Sequence, residues 1–516
     1  MSLALAALPL WVTQSLPMVD LPQHLHLISV LHRLDDATTL YPQMFARRSG
    51  LTPYLGYYYL VHLLNWLLPL RVANQVFLTA YVVGMPWALG FLLRSLGRPR
   101  WPAVLAIPFA YGDSFAWGFV NYCAALPLGF LSCGLFIRAI RDPSARRHWS
   151  ILHALALVSV LLFHVQVFGF LAVALPLLLL TTRAPEDPLG KPGWAAWRAR
   201  VPALVSVVPG VTLFLLWVVV RVGEPTEVAQ GEPWKAWGPM LSPQNLSYRT
   251  FPENWSALFV NLADLLRNQA DRWGLWAVLA VAVAALIVSM LPAGKRAVRE
   301  GPVERFRMLA LAVIAGVLYF TLPFDIRGYM YSLNQRFAHL LAPLLLAAIP
   351  VVAAKWRPWL LAGGAAAALV VAVPLAVGFH AFGEEAAALE GIAATAGARP
   401  RVMGLVYDRG SAVMTHPVYL HAGAVLAREG GGFTNFSFAS TPHSPLKWKD
   451  AAPPTFPSEW SPQDFNYATM GPAYDTFLVR GPRPEQVFGA LLQSELEVRA
   501  HAAGFWLIQR RHKDTP

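Results

Sequence analysis

Residues 358–383 read PWLLAGGAAAALVVAVPLAVGFHAFG, a stretch without a single Asp, Glu, Lys or Arg. About 20 apolar residues in helical form cross the roughly 30 Å hydrocarbon layer of a bilayer, so this segment can span one. Residues 72–93 and 273–294 lack the same four residue types, and similar runs recur along most of the chain. The 516 residues as a whole agree, with 56% hydrophobic and 14% charged and a mean hydropathy of +0.45. These values exclude a soluble enzyme with one anchor. They also exclude an outer-membrane barrel, whose strands would alternate apolar and polar residues. The fold class is an all-α polytopic membrane bundle of about 11 transmembrane helices. The expected spans are 2–17, 72–93, 101–112, 117–137, 149–164, 166–182, 201–220, 273–292, 308–323, 337–354 and 359–380.

Orientation follows from the arginines and lysines, which collect in cytoplasmic loops. Arg94, Arg98 and Arg100 form one cluster, Arg138, Arg141, Arg146 and Arg147 the next, and Arg183, Lys191, Arg198 and Arg200 a third. Lys295 to Arg307 and Lys355 with Arg357 complete a pattern in which every second connection is basic. The net charge of +12 is therefore topological and gives no reason to expect nucleic acid. The other connections are expected outside: the loop near Asp113, the turn at His164, residues 221–272, residues 324–336 and everything after about 381. The charge-free stretch 49–70, with Tyr54, Tyr57, Tyr58, Tyr59, His62 and Trp66, suits an interfacial helix. This places the N-terminus in the cytoplasm and makes 18–71 one external loop; in the rival arrangement 2–17 and 49–70 both span from an external N-terminus, which leaves the later loops unchanged but puts Asp20 in the cytoplasm. The arginine excess beside abundant Ala, Gly and Pro suits a GC-rich bacterium, so the expected location is the bacterial cytoplasmic (inner) membrane. Cys123 and Cys133 share one apolar run and carry no compartment information.

After residue 381 the composition changes. Beta-like runs at 401–407, 475–480 and 504–509, with helical patterns at 417–428 and 484–494, predict a small C-terminal α/β extracytoplasmic domain over 381–516, beside a bundle over 1–380. Its acids and histidines, among them Asp408, His416 and His421, show no metal or nucleophile spacing. This domain is expected to shape the acceptor side of a site built elsewhere.

The strongest local pattern is Pro17-Met18-Val19-Asp20-Leu21-Pro22-Gln23-His24-Leu25-His26. A carboxylate at the membrane surface, just before an amphipathic helix, can take a proton from an acceptor hydroxyl. Asp20 followed by Gln23, with a proline in the first turn, equally reads as a capping box for a helix over 21–34. His24 is the nearest polar neighbour.

A span ending in Pro-x-x-Asp-x-Pro-x-His, a long external first loop, a bundle with alternating basic connections and an external C-terminal α/β domain together resemble the GT-C glycosyltransferase superfamily. Protein O-mannosyltransferases, the aminoarabinose transferase of lipid A and oligosaccharyltransferase belong to it. The resemblance covers most of 1–380 as architecture, but as motif only about 17–27, with weaker support from 110–122. It implies an inverting transfer of sugar from a polyprenyl-phosphate donor to a hydroxyl on a lipid, glycan or protein, with Asp20 as base. Asp113, the only acid between Asp36 and Asp142, is the companion the resemblance suggests, or else a helix cap. Several relatives have an adjacent acidic pair where this chain has Asp20 alone, so metal use does not carry over. The sequence assigns no cofactor and is compatible with a divalent cation such as Mg or Mn.

Arg336, Arg327, Arg249 and Lys235 are candidates for gripping the donor phosphate, because guanidinium forks match phosphate oxygens. Surface decoration and, for Arg336, pairing with Asp325 are the ordinary alternatives. His164, Tyr57 and Tyr58 are further candidates near the external surface. A transporter or flippase of lipid-linked glycans is the main rival reading, and a scaffold for partners a third. A transporter predicts paired broken helices and central charges, which the sequence does not show.

Overall fold

The computed structural model describes residues 5–50, 52–185, 200–223, 242–291, 302–327, 330–441, 443–449 and 454–511. Lys235 lies outside them. Among the described residues five helices are long and apolar enough to cross a membrane: Leu70–Ser95, Val120–Arg141, Val201–Val219, Arg272–Met290 and Ala354–Thr395. Arg146–Phe163, Val165–Thr181, Pro302–Thr321 and the shorter Ala338–Ala348 pack among them. Val120–Arg141 is the central helix, most of it buried, whereas Arg272–Met290 leaves Trp273, Trp276, Leu279, Val283, Leu286, Ile287 and Met290 exposed. An apolar exterior of this kind is what lipid contact requires, because a helix satisfies its own backbone groups.

Three expected spans are not membrane-length α-helices; in 337–354 the α-helix is only the 11 residues Ala338–Ala348, with irregular chain from Ile349 to Ala353. Residues 101–112 form the 3₁₀ segments Trp101–Ala106 and Pro108–Tyr111, each with a proline in its first turn, packed inside the bundle against the last long helix. Proline has no N–H to give to an i−4 carbonyl, so the apolar run cannot continue as one α-helix. Within 2–17 the described residues contain one short helix, Leu8–Trp11, and the chain is irregular from there to Asp20.

The composition change at 381 is not a structural break. Arg357–Thr395 is one helix of 39 residues, which at about 1.5 Å per residue is nearly twice the roughly 30 Å hydrocarbon thickness. Its last turns bury Ala386, Leu389, Ile392 and Ala393 in a core that is continuous with the C-terminal sheet. That sheet has five strands in the order Phe433–Thr434, Arg401–Val406, Thr476–Arg480, Phe505–Arg510, Leu496–Ala502. Arg401–Val406 runs parallel to both neighbours, with Val402 opposite Thr476, and the last two strands pair antiparallel. The three β-like runs of the sequence are all strands. The same buried cluster takes in Leu21, Leu25 and Ile28 of the Leu21–His32 helix and Tyr57, Tyr58 and Val61 of Leu55–Leu64.

The connections sort into two groups. Basic ones meet each other: Arg98 donates to the carbonyls of Ala347 and Arg305, and Arg141 pairs with Glu304. The rest gather elsewhere. Phe45–Arg47 pairs with Leu446–Trp448, Leu246–Ser247 with Asp325–Ile326, Leu266 bridges Met414, and the Val19 N–H donates to the Ala116 carbonyl at 2.8 Å.

Candidate active site

Asp20 sits where the first two acidic loops cross. Its N–H donates to the Trp117 carbonyl at 3.0 Å, and its Cβ and N lie 3.0 Å from where a Cβ on Gly118 would stand. Gly118 has φ +87° and ends the short Asp113–Trp117 helix; a left-handed residue without Cβ is what this close approach needs.

The capping reading of Asp20 fails. Its backbone is helical (φ −85°, ψ −10°) and its side chain makes no cap hydrogen bond. A capping oxygen normally reaches forward from an extended residue, which these dihedrals do not provide. Gln23 instead donates to the Phe436 carbonyl at 2.8 Å. The Asp20 carboxylate, partly exposed, faces His421, whose Nε2 is 3.3 Å from Oδ1. Asp113 likewise makes no cap bond; its Oδ1 is 2.9 Å from His416 Nε2, and Gly112 holds the cap position. Two histidines of the C-terminal segment thus serve the two loop acids. This corrects the expectation that 381–516 only shapes the site from outside.

His421 is nearly buried and its Nδ1 lies 3.0 Å from Glu459 Oε2, with Phe436 stacked on one face at 5.4 Å. Burial works against its charge, yet Glu459 and Asp20 outweigh this and raise the imidazole to about 10. His24 behaves oppositely: burial lowers it to about 4 in spite of Asp20. Neutral His24 donates from Nε2 to the Gly118 carbonyl at 3.1 Å, which leaves Nδ1 to accept from the Tyr58 hydroxyl at 2.7 Å. It therefore ties the first helix to the second loop. Tyr57 is equally buried; its hydroxyl donates to Asn74 Oδ1 at 2.8 Å and its backbone N–H donates to Asn121 Oδ1 at 3.1 Å. Among the candidates, His24, Tyr57 and Tyr58 build the floor beneath Asp20.

Arg336 is 8% exposed. Its guanidinium stands 4.0 Å from the Phe119 ring centroid, Nη1 is 3.1 Å from His164 Nε2, and Nη2 donates to the Tyr331 carbonyl at 2.9 Å. Nε has no partner, and among the described residues no carboxylate is in ion-pair distance, Asp325 included. A buried cation left this way is costly unless an anion meets it. Asp20 is among the groups whose negative charge acts on it, so the two belong to one region. Arg249 covers the Phe324 ring at 3.8 Å, and Arg327 is exposed at the edge of the Asp325–Ile326 strand. Trp117 and Tyr331, with ring centroids 5.2 Å apart, form an aromatic wall between the second loop and this arginine's segment. Among the described residues no group of three or more His, Cys, Asp or Glu is arranged to hold a metal ion.

Sequence reading missed His416, His421 and Glu459. They lie hundreds of positions from the acids they meet, and His416-Pro-Val-Tyr-Leu-His421 gives no signal of its own.

No family model and no curated protein matches the chain. Among solved structures, it is similar to a mycobacterial arabinofuranosyltransferase, AftD, at 13% identity over 99% of this chain and 40% of that one, with a TM-score of 0.51. It also matches ArnT from Cupriavidus metallidurans at 13% identity over 98% of this chain and 96% of that one, with a TM-score of 0.39. The chain spans about 40% of the arabinofuranosyltransferase's length. At this identity the likeness to the arabinofuranosyltransferase shows a shared fold.

Proposed function

We propose that the protein is an inverting glycosyltransferase that moves a sugar from a polyprenyl-phosphate donor to a hydroxyl acceptor at the external face of a bacterial cytoplasmic membrane. The observation that carries this reading is the pairing, in one region, of a carboxylate freed from capping with a buried arginine that no carboxylate neutralises. Asp20 takes the proton of the acceptor hydroxyl as its oxygen attacks the anomeric carbon. The bond from that carbon to the phosphate oxygen breaks, and the phosphate keeps the electron pair. Arg336 and its Nε meet the charge that develops there. Phosphate leaves without being protonated, so one base suffices. Trp117 and Tyr331 offer ring faces suited to a sugar. The second loop, which meets Asp20 at Trp117, and the C-terminal segment, which meets it at His421, make the acceptor side.

The test incubates purified protein in nanodiscs with a panel of labelled polyprenyl-phosphate sugars and membrane-extracted acceptors. Transfer of label with inversion at the anomeric carbon is expected. Binding of the donor with movement of the intact lipid across a bilayer, and no transfer, would favour the flippase reading instead.

A further inference from the structure

Only one histidine in the site has carboxylates at both ring nitrogens. His421 Nε2 is 3.3 Å from Asp20 Oδ1 and Nδ1 is 3.0 Å from Glu459 Oε2. Ionised carboxylates only accept, so both nitrogens must carry hydrogen and the ring must be an imidazolium. His416 differs in its partners: its Nε2 faces Asp113, but its Nδ1 faces the uncharged Thr415 hydroxyl at 3.1 Å and no second carboxylate.

We infer that His421, clamped by Glu459, is a positioning residue that holds the Asp20 carboxylate in one orientation, so that the C-terminal segment builds half of the base. This rests on the glycosyl-transfer reading for its catalytic meaning, but the charged triad itself does not. The surroundings fit the role. Phe436 lies parallel to the imidazole at 12° and Phe438 meets it edge-on at 5.7 Å, leaving little room for rotation. Arg409 donates to the carbonyls of Glu459 and Trp460 and covers the Trp460 ring, fixing the loop that carries the second carboxylate.

The charged and titratable groups facing His421 are Asp20, Glu459 and His24, with Tyr58 behind His24 and Arg336 beyond Asp20. His24 is buried neutral, so the triad carries one net negative charge before reaction. The acceptor's O–H proton goes to Asp20, the triad becomes neutral, and the proton later leaves from Asp20 to water while His421 keeps both of its own. The raised His421 titration agrees with this arrangement.

Two variants separate the roles. Glu459→Gln keeps the shape but removes the charge that holds His421 protonated, so its titration should fall into the neutral range. His421→Gln removes the cation and its hold on the Asp20 carboxylate at every pH, so turnover should fall about tenfold across the whole profile. Solid-state ¹⁵N spectra of histidine-labelled protein in bilayers should show both His421 nitrogens protonated at pH 8 in the wild type, and only one in Glu459→Gln. Turnover of Glu459→Gln should approach that of the wild type at pH 6 and fall about tenfold by pH 8, while the wild type stays level. A neutral His421 at pH 8 in the wild type overturns the proposal. So does a Glu459→Gln rate loss that is the same at every pH, which would mark Glu459 as a packing residue. If the wild type transfers no sugar, the glycosyltransferase reading fails by itself, and an imidazolium lost in Glu459→Gln still supports the triad.

Discussion

Gly118→Ala tests whether the crossing of the first two loops sets the position of Asp20. At φ +87° an alanine costs about 1–2 kcal/mol in backbone conformation alone. The added Cβ would also stand 3.0 Å from Asp20 Cβ and N and 3.3 Å from its Cα. Ordinary carbon contacts are about 3.5–4.0 Å, so Asp20 must retreat by roughly half an ångström. A displacement of about 1 Å at a reacting group can cost on the order of 10²-fold in rate, so a loss of about tenfold in turnover is expected here. Gly397→Ala is the control: its φ is +80° and nothing lies within 4 Å of the new Cβ. Both variants should lose comparable thermal stability in nanodiscs, and only Gly118→Ala should lose turnover in the label-transfer assay. Equal turnover in the two would refute the reasoning, because it would mean that Asp20 tolerates displacement and is not the base.

Arg336→Lys keeps the charge but loses the planar fork that now spans His164 and the Tyr331 carbonyl, so donor affinity should fall about tenfold, and further in Arg336→Ala; equal binding of a labelled polyprenyl phosphate by all three proteins would move the search to Arg249 and Arg327. His24 is held near 4, below its ordinary value, so the stability it contributes is complete above about pH 6.5 and is lost as pH falls toward 4. Thermal melts of His24→Gln should show a flatter acid limb than the wild type, and an unchanged limb would remove His24 from that role. Reporter fusions at Asp36 and Gly97 should give signals from opposite sides of the membrane, and signals from the same side would take Asp20 out of the external loop.

The apolar helices were legible because lipid and core burial both demand long uncharged runs, and 72–93, 273–292 and 359–380 each mark a helix. Length along such a run was not legible. Residues 101–112 have the hydropathy of a span, but Pro102 and Pro108 break the α-helical ladder, and Arg357–Thr395 continues past the composition change because its amphipathic end still buries Leu389 and Ile392. Asp20 stood out by position, while its role did not, since Asp20 and Gln23 have capping-box spacing whether or not the bonds form. Tertiary contact decided it: Phe436 captures Gln23, and the helical dihedrals of Asp20 turn its carboxylate toward His421. Arg336 was one of four cations picked out for the donor phosphate, and of those described it is the one the structure buries, with its guanidinium over Phe119. His421, His416 and Glu459 needed the fold, because no local pattern links them to Asp20 and Asp113.

The most direct measurement compares wild type with Asp20→Asn for label transfer from a polyprenyl-phosphate sugar, alongside thermal stability in the same nanodiscs. Asn keeps the shape of Asp20 and an oxygen that can accept from His421, whose other nitrogen stays paired with Glu459, so the protein should remain folded and inserted with a stability loss of about 1.5–3 kcal/mol, the range for a hydrogen bond to a charged group. Turnover should fall by about 10² or more, as loss of a general base requires. Wild-type turnover in a stably inserted Asp20→Asn protein would contradict the account.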